Sequence, residues 1–530
     1  MRRGRERGEK GVFKIKTNAD GSLGKYKARF CVVGTAQVQG SDYWESFASG
    51  ARYSSVKTAI CLVAVQDWID FHFDIDGAYL AVPIDADVYV DQPAGVEAEV
   101  GPNGEPLVLK CDKAIYGTCQ AARLFSQEFR AALVAIGFEQ SLDDEATFRL
   151  DHQLGRVILA THVDDGIGGG SSVEVIEWMY QQIEARGFSF SHKGPWDTVL
   201  GFGCKRDRTN RQVTLDAAAQ IAALAREHLA DEVARQLNPP TPTDASIMKL
   251  EAGPPETEAE QAANADWRKR ARSLKGALIH IGHIHPAIQN GLSRACKFMA
   301  MPTRESHAAA KRILAWLHNR PTLGVTYGAP HLRSLADLLP SGAPSLPMAG
   351  DRDYSLVATV DSDLPGTAMP PRDASCADPV DHSTHRAQLG YNISLAGGSI
   401  DSSSRRQQST AVDTPAAELY AASACGALLL SVRSIVNFMS FGVLGTEPVR
   451  IWCDNEGAVL VSKDATSIKR LAYIARRCRF MQELVTRKVI TLLDVPGDAN
   501  PADALTKHIA PKWLFREYMA RIYNGAASLF

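Results

Sequence analysis

From residue 11 onward, short runs alternate apolar and polar positions; between 54 and 66 the pattern becomes helical, with Val56, Ile60, Val63 and Ala64 on one face. In the alternating part, the turn-rich Asn18-Ala-Asp-Gly-Ser-Leu-Gly24 separates Phe13–Lys16 from Lys25–Val33, which predicts a hairpin. Strand side chains alternate, so Lys25, Lys27 and Arg29 share one of its faces. Further helices are expected at Ala121–Ile136, Asp216–Leu237, Trp267–Cys296 and Glu305–Asn319, and a second hairpin at Pro195–Gly203. Asn238-Pro-Pro-Thr-Pro-Thr243 and the acidic Pro/Glu/Ala-rich stretch to Asn264 predict a linker or loop. A second breaker-rich stretch, Gly328–Gly350 with Pro330, Pro340, Pro344 and Pro347, sets off a last portion that should fold by itself after Asp351.

The chemistry is concentrated in acids placed on this pattern. Thr161-His-Val-Asp-Asp-Gly-Ile-Gly168 is an apolar run, two acids and glycine, which predicts two strands joined by a tight turn carrying Asp164 and Asp165. Adjacent carboxylates repel unless a cation lies between them. Asp74 stands in the strand-like Phe71-His-Phe-Asp-Ile75, and pairing of these strands would gather three carboxylates at one sheet edge, enough oxygen ligands for two hard divalent ions. That is the layout of a nucleotidyl transferase.

The surrounding residues resemble a known family in order and spacing. Tyr26-Lys-Ala-Arg-Phe30, Asp42-Tyr-Trp-Glu-Ser-Phe47, Phe73-Asp-Ile-Asp-Gly-Ala-Tyr-Leu80, Val88-Tyr-Val-Asp-Gln-Pro-Ala-Gly95, Ile115-Tyr-Gly117, Val163-Asp-Asp165 and Leu200-Gly201 are joined by Cys453-Asp-Asn455 and Ala502-Asp-Ala-Leu-Thr-Lys507. Together they resemble the reverse transcriptase and ribonuclease H part of a copia-like LTR retrotransposon polyprotein. The resemblance implies an α+β fold of fingers, palm and thumb, followed by an α/β ribonuclease H-like domain. It places fingers and palm in residues 1–240, linker, thumb and tether in 241–350, and the ribonuclease H-like domain in 351–515. It implies RNA-directed DNA synthesis with cleavage of RNA in hybrids, catalysed in the first half by Asp74, Asp164 and Asp165. Two Mg2+ or Mn2+ ions per active site are implied, as are RNA template, DNA primer, RNA-DNA hybrid and deoxynucleoside triphosphates as partners, with no membrane. A cytoplasmic virus-like particle is the implied location, with the nucleus left open.

The same resemblance assigns further roles. Lys25, Lys27 and Arg29 become a cationic fork for the triphosphate, although a charged edge strand accounts for the same alternation. Tyr79 becomes the flat ring against the incoming sugar, excluding a 2′-hydroxyl; Gly117 and Gln120 fall in the nucleotide pocket; Leu200 and Gly201 become the primer-holding turn, where a local bulge would also call for glycine. In the last portion Asp361, Glu418, Asp454 and Asp503, at two strand ends and two helix starts, become the metal ligands of the second active site. Taken singly, Glu418 and Asp503 are also the acids a helix dipole favours in its first turn.

Composition adds little: 530 residues at 45% hydrophobic and 22% charged suit a globular chain of roughly two to four domains. A net charge of -2 argues against a nucleic-acid partner, but its distribution does not. Residues 1–30 carry ten Lys/Arg against three acids and residues 463–488 eight against two, and from about Ile468 to Arg487 a basic helix would put Arg470 and Arg477 within reach of a phosphate backbone. Ten cysteines without a Cys-x-x-Cys pair exclude zinc-finger and redox motifs, and the simplest account is reduced thiols. No signal peptide is expected and no run reaches transmembrane length. The family's pattern departs at Cys119, where a lysine is common, at Ala122, where a proline is common, and at Lys469-Arg-Leu471. With no zinc knuckle, integrase-like segment or protease motif, a processed product, a truncated gene or a repurposed remnant that binds nucleic acid without polymerase activity all fit.

Overall fold

The computed structural model describes residues 9–17, 23–93, 95, 99–229, 239–251, 257–328, 355–364, 386–464 and 471–525; for Glu9, Lys10, Lys14, Lys16, Thr17, Lys25 and Lys27 it describes the backbone only. Two compact units result: residues 1–52 with 69–195, and 53–68 with 196–530. Their division at 195 does not coincide with the expected boundaries at 240 and 350. Helix α1 (Tyr53–Val65) goes with the second unit because it is buried on every side from Ser54 to Val65, packed against elements that follow much later in the chain.

In the first unit, β1 (Glu9–Thr17) and β2 (Leu23–Val32) form the expected ribbon, with Lys25 opposite Lys16, Lys27 opposite Lys14 and Arg29 opposite Val12. A six-stranded antiparallel sheet follows, built from β3 (Ile69–Ile75) and, after the short pair β4 (Tyr89–Val90) and β5 (Leu109–Lys110), from β6 (Glu139–Gln140), β7 (Thr147–His152), β8 (Gly155–His162), β9 (Asp165–Gly170) and β10 (Phe190–Gly194) in the order β10-β3-β9-β8-β7-β6. Helices α2 (Ala121–Ile136), at the expected bounds, and α3 (Val173–Glu184) cover one face. Phe71, Phe73 and Ile75 of β3 point into this core with Phe125, Phe129 and Leu133 of α2 and Val175, Met179 and Ile183 of α3. Period-two alternation therefore sends His72 and Asp74 to the opposite face. Phe73 is fully buried among Phe129, Tyr180 and Phe190 rings 5.1 to 6.4 Å away. Phe73→Ala is expected to destabilise this unit by about 3–5 kcal/mol, read as a lower urea midpoint at unchanged m-value.

In the second unit, β11 (Thr198–Val199), β12 (Phe202–Asp207), β13 (Gln212–Asp216) and β14 (Gly324–Tyr327) form an antiparallel sheet in sequence order. The helices are α4 (Ala218–His228), α5 (Ala265–Ile281), α6 (Gln289–Cys296) and α7 (Arg304–His318). The expected Trp267–Cys296 helix is broken at Pro286, which opens a single 3-10 turn. The supposed linker is helical from Glu258 to Ala263, because Thr257 and Glu260 make a reciprocal capping box.

A five-stranded mixed sheet follows, built from β15 (Leu356–Asp363), β16 (Gln388–Leu395), β17 (Gly398–Arg406), β18 (Val449–Cys453) and β19 (Ile490–Asp494) in the order β17-β16-β15-β18-β19. The β15-β16 and β16-β17 pairs are antiparallel, β15-β18 and β18-β19 parallel, and α8 (Thr414–Met439) packs on the sheet, giving the α/β ribonuclease H-like arrangement. Shorter helices α9 (Glu456–Lys463), α10 (Ala475–Thr486) and α11 (Lys512–Tyr523) complete it. By length and composition α8 is long and apolar enough to cross a membrane, which corrects the expectation that no segment is; polar interruptions such as Glu418 and Arg433 hid it, and most of its apolar window is buried in this unit.

Candidate active sites

In the first unit, strands β8 and β9 are joined by the two-residue turn Val163-Asp164, with His162 opposite Asp165. Val163 adopts φ +58°, a left-handed conformation that costs a β-branched residue roughly 1–3 kcal/mol. The turn is tied to β3 by the Ile75 N–H, which donates to the Asp164 carbonyl at 3.0 Å. Register sets Asp165 directly opposite Asp74. All three expected acids thus meet at one sheet edge, on the face that alternation turned away from the helices. Burial, and then the charges of Asp74 and Asp165, hold the Asp164 carboxyl above its ordinary range. Their oxygens do not form a set within mutual ligand reach; among the described residues such sets occur only in the second unit. His72 Nε2 lies 3.3 Å from Asp165 Oδ1. His72 packs edge-on against His192, the register partner of Asp74. Neither histidine was picked out from the sequence, though its i, i+2 relation to Asp74 puts His72 on the acid face.

Beside the acids, Tyr79 sits in a 3-10 turn over Ala78–Ala81 and meets the Tyr116 ring edge-on at 5.1 Å. The Arg29 guanidinium lies 5.0 Å from the Tyr116 centroid. Burial, then the Asp164 charge, raises the Tyr79 phenol, with Arg29 opposing, so these groups share one field. Gly117 has φ +92°, and a Cβ there would meet the Val32 carbonyl at 2.0 Å, so only glycine lets this segment lie against β2. Gln120 is wholly buried, donating to the Asp42 carbonyl at 2.9 Å and accepting from Gln37 Nε2 at 3.1 Å. Both ends of its amide are thus engaged inside the fold. Cys119 turns its thiol to the Gly34 carbonyl. The side chains of Lys25 and Lys27 fall outside the described residues. Leu200 and Gly201 belong to the second unit and form the two-residue turn between β11 and β12, with φ +50° and +83°; Gln220 Nε2 holds the Gly201 carbonyl at 2.8 Å.

The second unit brings the other four acids together. Asp361 lies inside β15, not at its end, and is fully buried; Asp503 lies in a 3-10 turn over Pro501–Leu505, ahead of the final helix. Glu418 is buried in α8, and Asp454 follows the last residue of β18. Asp361, Asp454 and Asp503 offer oxygens all within 4.8 Å of one another, and Glu418, Cys453 and Asp454 form a second such set. Glu418 Oε1 accepts the Ser362 N–H at 3.1 Å, and Asn500 donates to the Val360 carbonyl at 2.9 Å, fixing the turn to β15. The Thr506 hydroxyl donates to Asp361 Oδ2, and Lys507 Nζ stands 3.1 Å from both Asp361 Oδ1 and Asp503 Oδ1. Burial, then the neighbouring Asp361 charge, raises the carboxyls of Glu418, Asp454 and Asp503. Arg477, expected to reach a phosphate backbone, instead stacks 3.6 Å from the Tyr420 ring centroid and donates to Ser423 Oγ at 2.9 Å; Arg470 falls outside the described residues.

These raised pKa values set a stability trend. A carboxyl raised to about 8, as at Asp503, binds protons in the folded state at pH values where the unfolded chain has lost them, so stability falls as pH rises towards 8. The buried histidines His283, His285 and His307, lowered to about 4, act in the opposite sense only below their ordinary value near 6.5. Between pH 6.5 and 8 the metal-free protein is therefore expected to lose several degrees of melting temperature, and saturating Mg2+ to flatten that slope; an equal slope with and without Mg2+ would refute the cluster as its origin.

Residues 2–228 match the family described as reverse transcriptase (RNA-dependent DNA polymerase). Over 96% of its length the chain is 26% identical to the retrovirus-related Pol polyprotein from transposon RE1 of Arabidopsis thaliana, covering 31% of it. Over 94% it is 24% identical to that from transposon TNT 1-94 of Nicotiana tabacum, covering 34%. Over residues 2–228 the chain is thus similar to reverse transcriptase domains, and over nearly its whole length to transposon Pol polyproteins. The chain spans about a third of the length of the curated relatives it matches. Among solved structures, it is 11% identical to a foamy viral protease-reverse transcriptase in complex with RNA/DNA hybrid, over 93% of this chain and 50% of that one, with a TM-score of 0.44. It is 12% identical to a related structure in complex with ds DNA, over 92% and 65%, with a TM-score of 0.40. Within the matched residues the acid-bearing sheet edge, Arg29, Tyr79 and Tyr116 form one constellation, while the five-stranded mixed sheet carries the second.

Proposed function

We propose that the chain is an RNA-directed DNA polymerase that also cleaves RNA in RNA-DNA hybrids, each reaction run by its own carboxylate cluster. The observation that carries this reading is the convergence of Asp74, Asp164 and Asp165 on one sheet edge and of Asp361, Glu418, Asp454 and Asp503 around the middle strands of the mixed sheet. The donors are all hard oxygens apart from the Cys453 thiol, which suits Mg2+ or Mn2+. Two such ions, about 4 Å apart, would supply activation of the attacking oxygen and neutralisation of the leaving one. The residues themselves position and neutralise, since phosphoryl transfer requires no protein nucleophile. In the first site Arg29 offers its charge to the triphosphate and the Tyr79 ring bounds the sugar, favouring deoxynucleotides. In the second, Asn500 and Ser362 hold the acids that would receive the hybrid's RNA strand. Template, primer, hybrid and deoxynucleoside triphosphates are the proposed partners, in a cytoplasmic particle.

A second reading, a remnant that binds nucleic acid without polymerising, draws on the inward-turned Cys119 and on the looser first cluster. Primer extension on an RNA template with Mg2+ or Mn2+, run beside cleavage of a labelled hybrid, separates the two. Extension supports the leading reading; hybrid cleavage without extension would reduce the function to ribonuclease H, and binding alone would leave the remnant.

A further inference from the structure

Lys507 stands where a divalent ion would have to go. Its ammonium bridges Asp361 Oδ1 and Asp503 Oδ1 at 3.1 Å each, and these two acids, with Asp454, are the members of one three-oxygen set. The other oxygen of Asp361 is already taken by the Thr506 hydroxyl. Both oxygens of Asp361 therefore already accept a hydrogen bond, and an ion entering between Asp361 and Asp503 competes with the lysine for them. The ammonium makes ion pairs with Asp361 and Asp503, while Glu418 and Asp454 of the second set feel only its field.

The lysine's position is built. Its N–H donates to the Asp503 carbonyl at 2.8 Å, and its own carbonyl accepts from Asn290 Nδ2 at 2.9 Å. The preceding carbonyl, that of Thr506, accepts from Arg294 at 3.2 Å. Asn290 is fully buried in α6, so an element far away in sequence holds the segment in place. One ammonium facing four carboxyl groups lowers the repulsion that would otherwise open a cluster with no ion in it.

We propose that Lys507 is a resident cation that keeps the Asp361–Asp503 position filled until a divalent ion displaces it, which makes the two ion positions of this cluster unequal. The Glu418–Asp454 side fills first, with the lysine in place. The Asp361–Asp503 side fills second and more weakly, because entry there must break two charge-assisted hydrogen bonds. This rests on the two-ion reading of the second cluster, and the two are separable by experiment.

Mn2+ binding to the full chain, carrying Asp74→Asn and Asp164→Asn to silence the other cluster, is followed through the electron paramagnetic resonance signal of free Mn2+. The parent is expected to show a tight and a weak class, and Lys507→Met to tighten the weak class at least tenfold. Lys507→Arg should keep the parent's two classes, and Lys507→Gln stands in for the methionine variant if that melts below the assay temperature. In EDTA, Lys507→Met should melt lower than the parent and gain more from Mn2+, a combination that a merely structural ion pair would not produce. An unchanged or weakened weak class in folded Lys507→Met and Lys507→Gln overturns the assignment of Lys507 alone. If the parent shows no Mn2+ binding that Asp454→Asn removes, the two-ion reading itself falls.

Discussion

Replacing Asp164 by Asn is expected to lower primer extension by about a thousandfold or more, a loss near 4 kcal/mol of transition-state stabilisation. The substitution keeps the shape of the side chain and changes its charge. The turn that carries it is set by its backbone, through the left-handed Val163 and the bond from the Ile75 N–H to the Asp164 carbonyl, and neither depends on the carboxylate. Asp164 is also the acid that burial and the charges of Asp74 and Asp165 make costly to ionise. Removing its charge relieves that repulsion, so the melting temperature without metal should hold or rise while activity collapses. Hybrid cleavage in the same preparation should be unchanged, since the second cluster shares none of these residues. Extension within tenfold of the parent's would sink the assignment of this edge as the polymerase site.

The three acids of this edge were legible because local rules place them. Alternation in Phe71-His-Phe-Asp-Ile75 puts Asp74 opposite the core face, and the two acids before glycine mark a turn, so pairing of the strands was enough to bring them together. Helix α2 was legible because Phe125, Phe129 and Leu133 recur on one face. Features decided by distant contacts were not. Gln120 lies in a motif that suggested a nucleotide pocket, yet the Asp42 carbonyl and Gln37 claim both ends of its amide. Helix α1 looked like part of the first unit by position, and only the unbroken small and apolar run Ala59–Val65 hinted that it would be buried in the second. Lys507 bonds to an acid 146 residues earlier, and its motif announces nothing about that pairing. Arg477 was expected to face a phosphate backbone because charge periodicity cannot tell a solvated face from a cation stacked on Tyr420.

The second cluster allows an equally sharp test at Asp454, the acid common to both sets of converging ligand atoms. Losing any other of the four acids leaves one set intact, whereas Asp454→Asn weakens both. Hybrid cleavage should therefore fall by about a thousandfold or more, with primer extension retained. Asparagine can keep the side-chain hydrogen bond with Asn500, and burial with the nearby Asp361 charge already disfavours the ionised form of Asp454. The metal-free variant should thus melt at or above the parent's temperature, while the gain in melting temperature on adding Mg2+ or Mn2+ should largely disappear. Asp361→Asn is the less clean probe, because it also strips a buried partner from Lys507 and mixes loss of ions with loss of an ion pair. Activity lost together with the metal-induced stabilisation, in a protein whose metal-free fold is untouched, is what a role in holding ions requires. Cleavage retained in Asp454→Asn would mean that the convergence of these four acids serves the fold and not the chemistry.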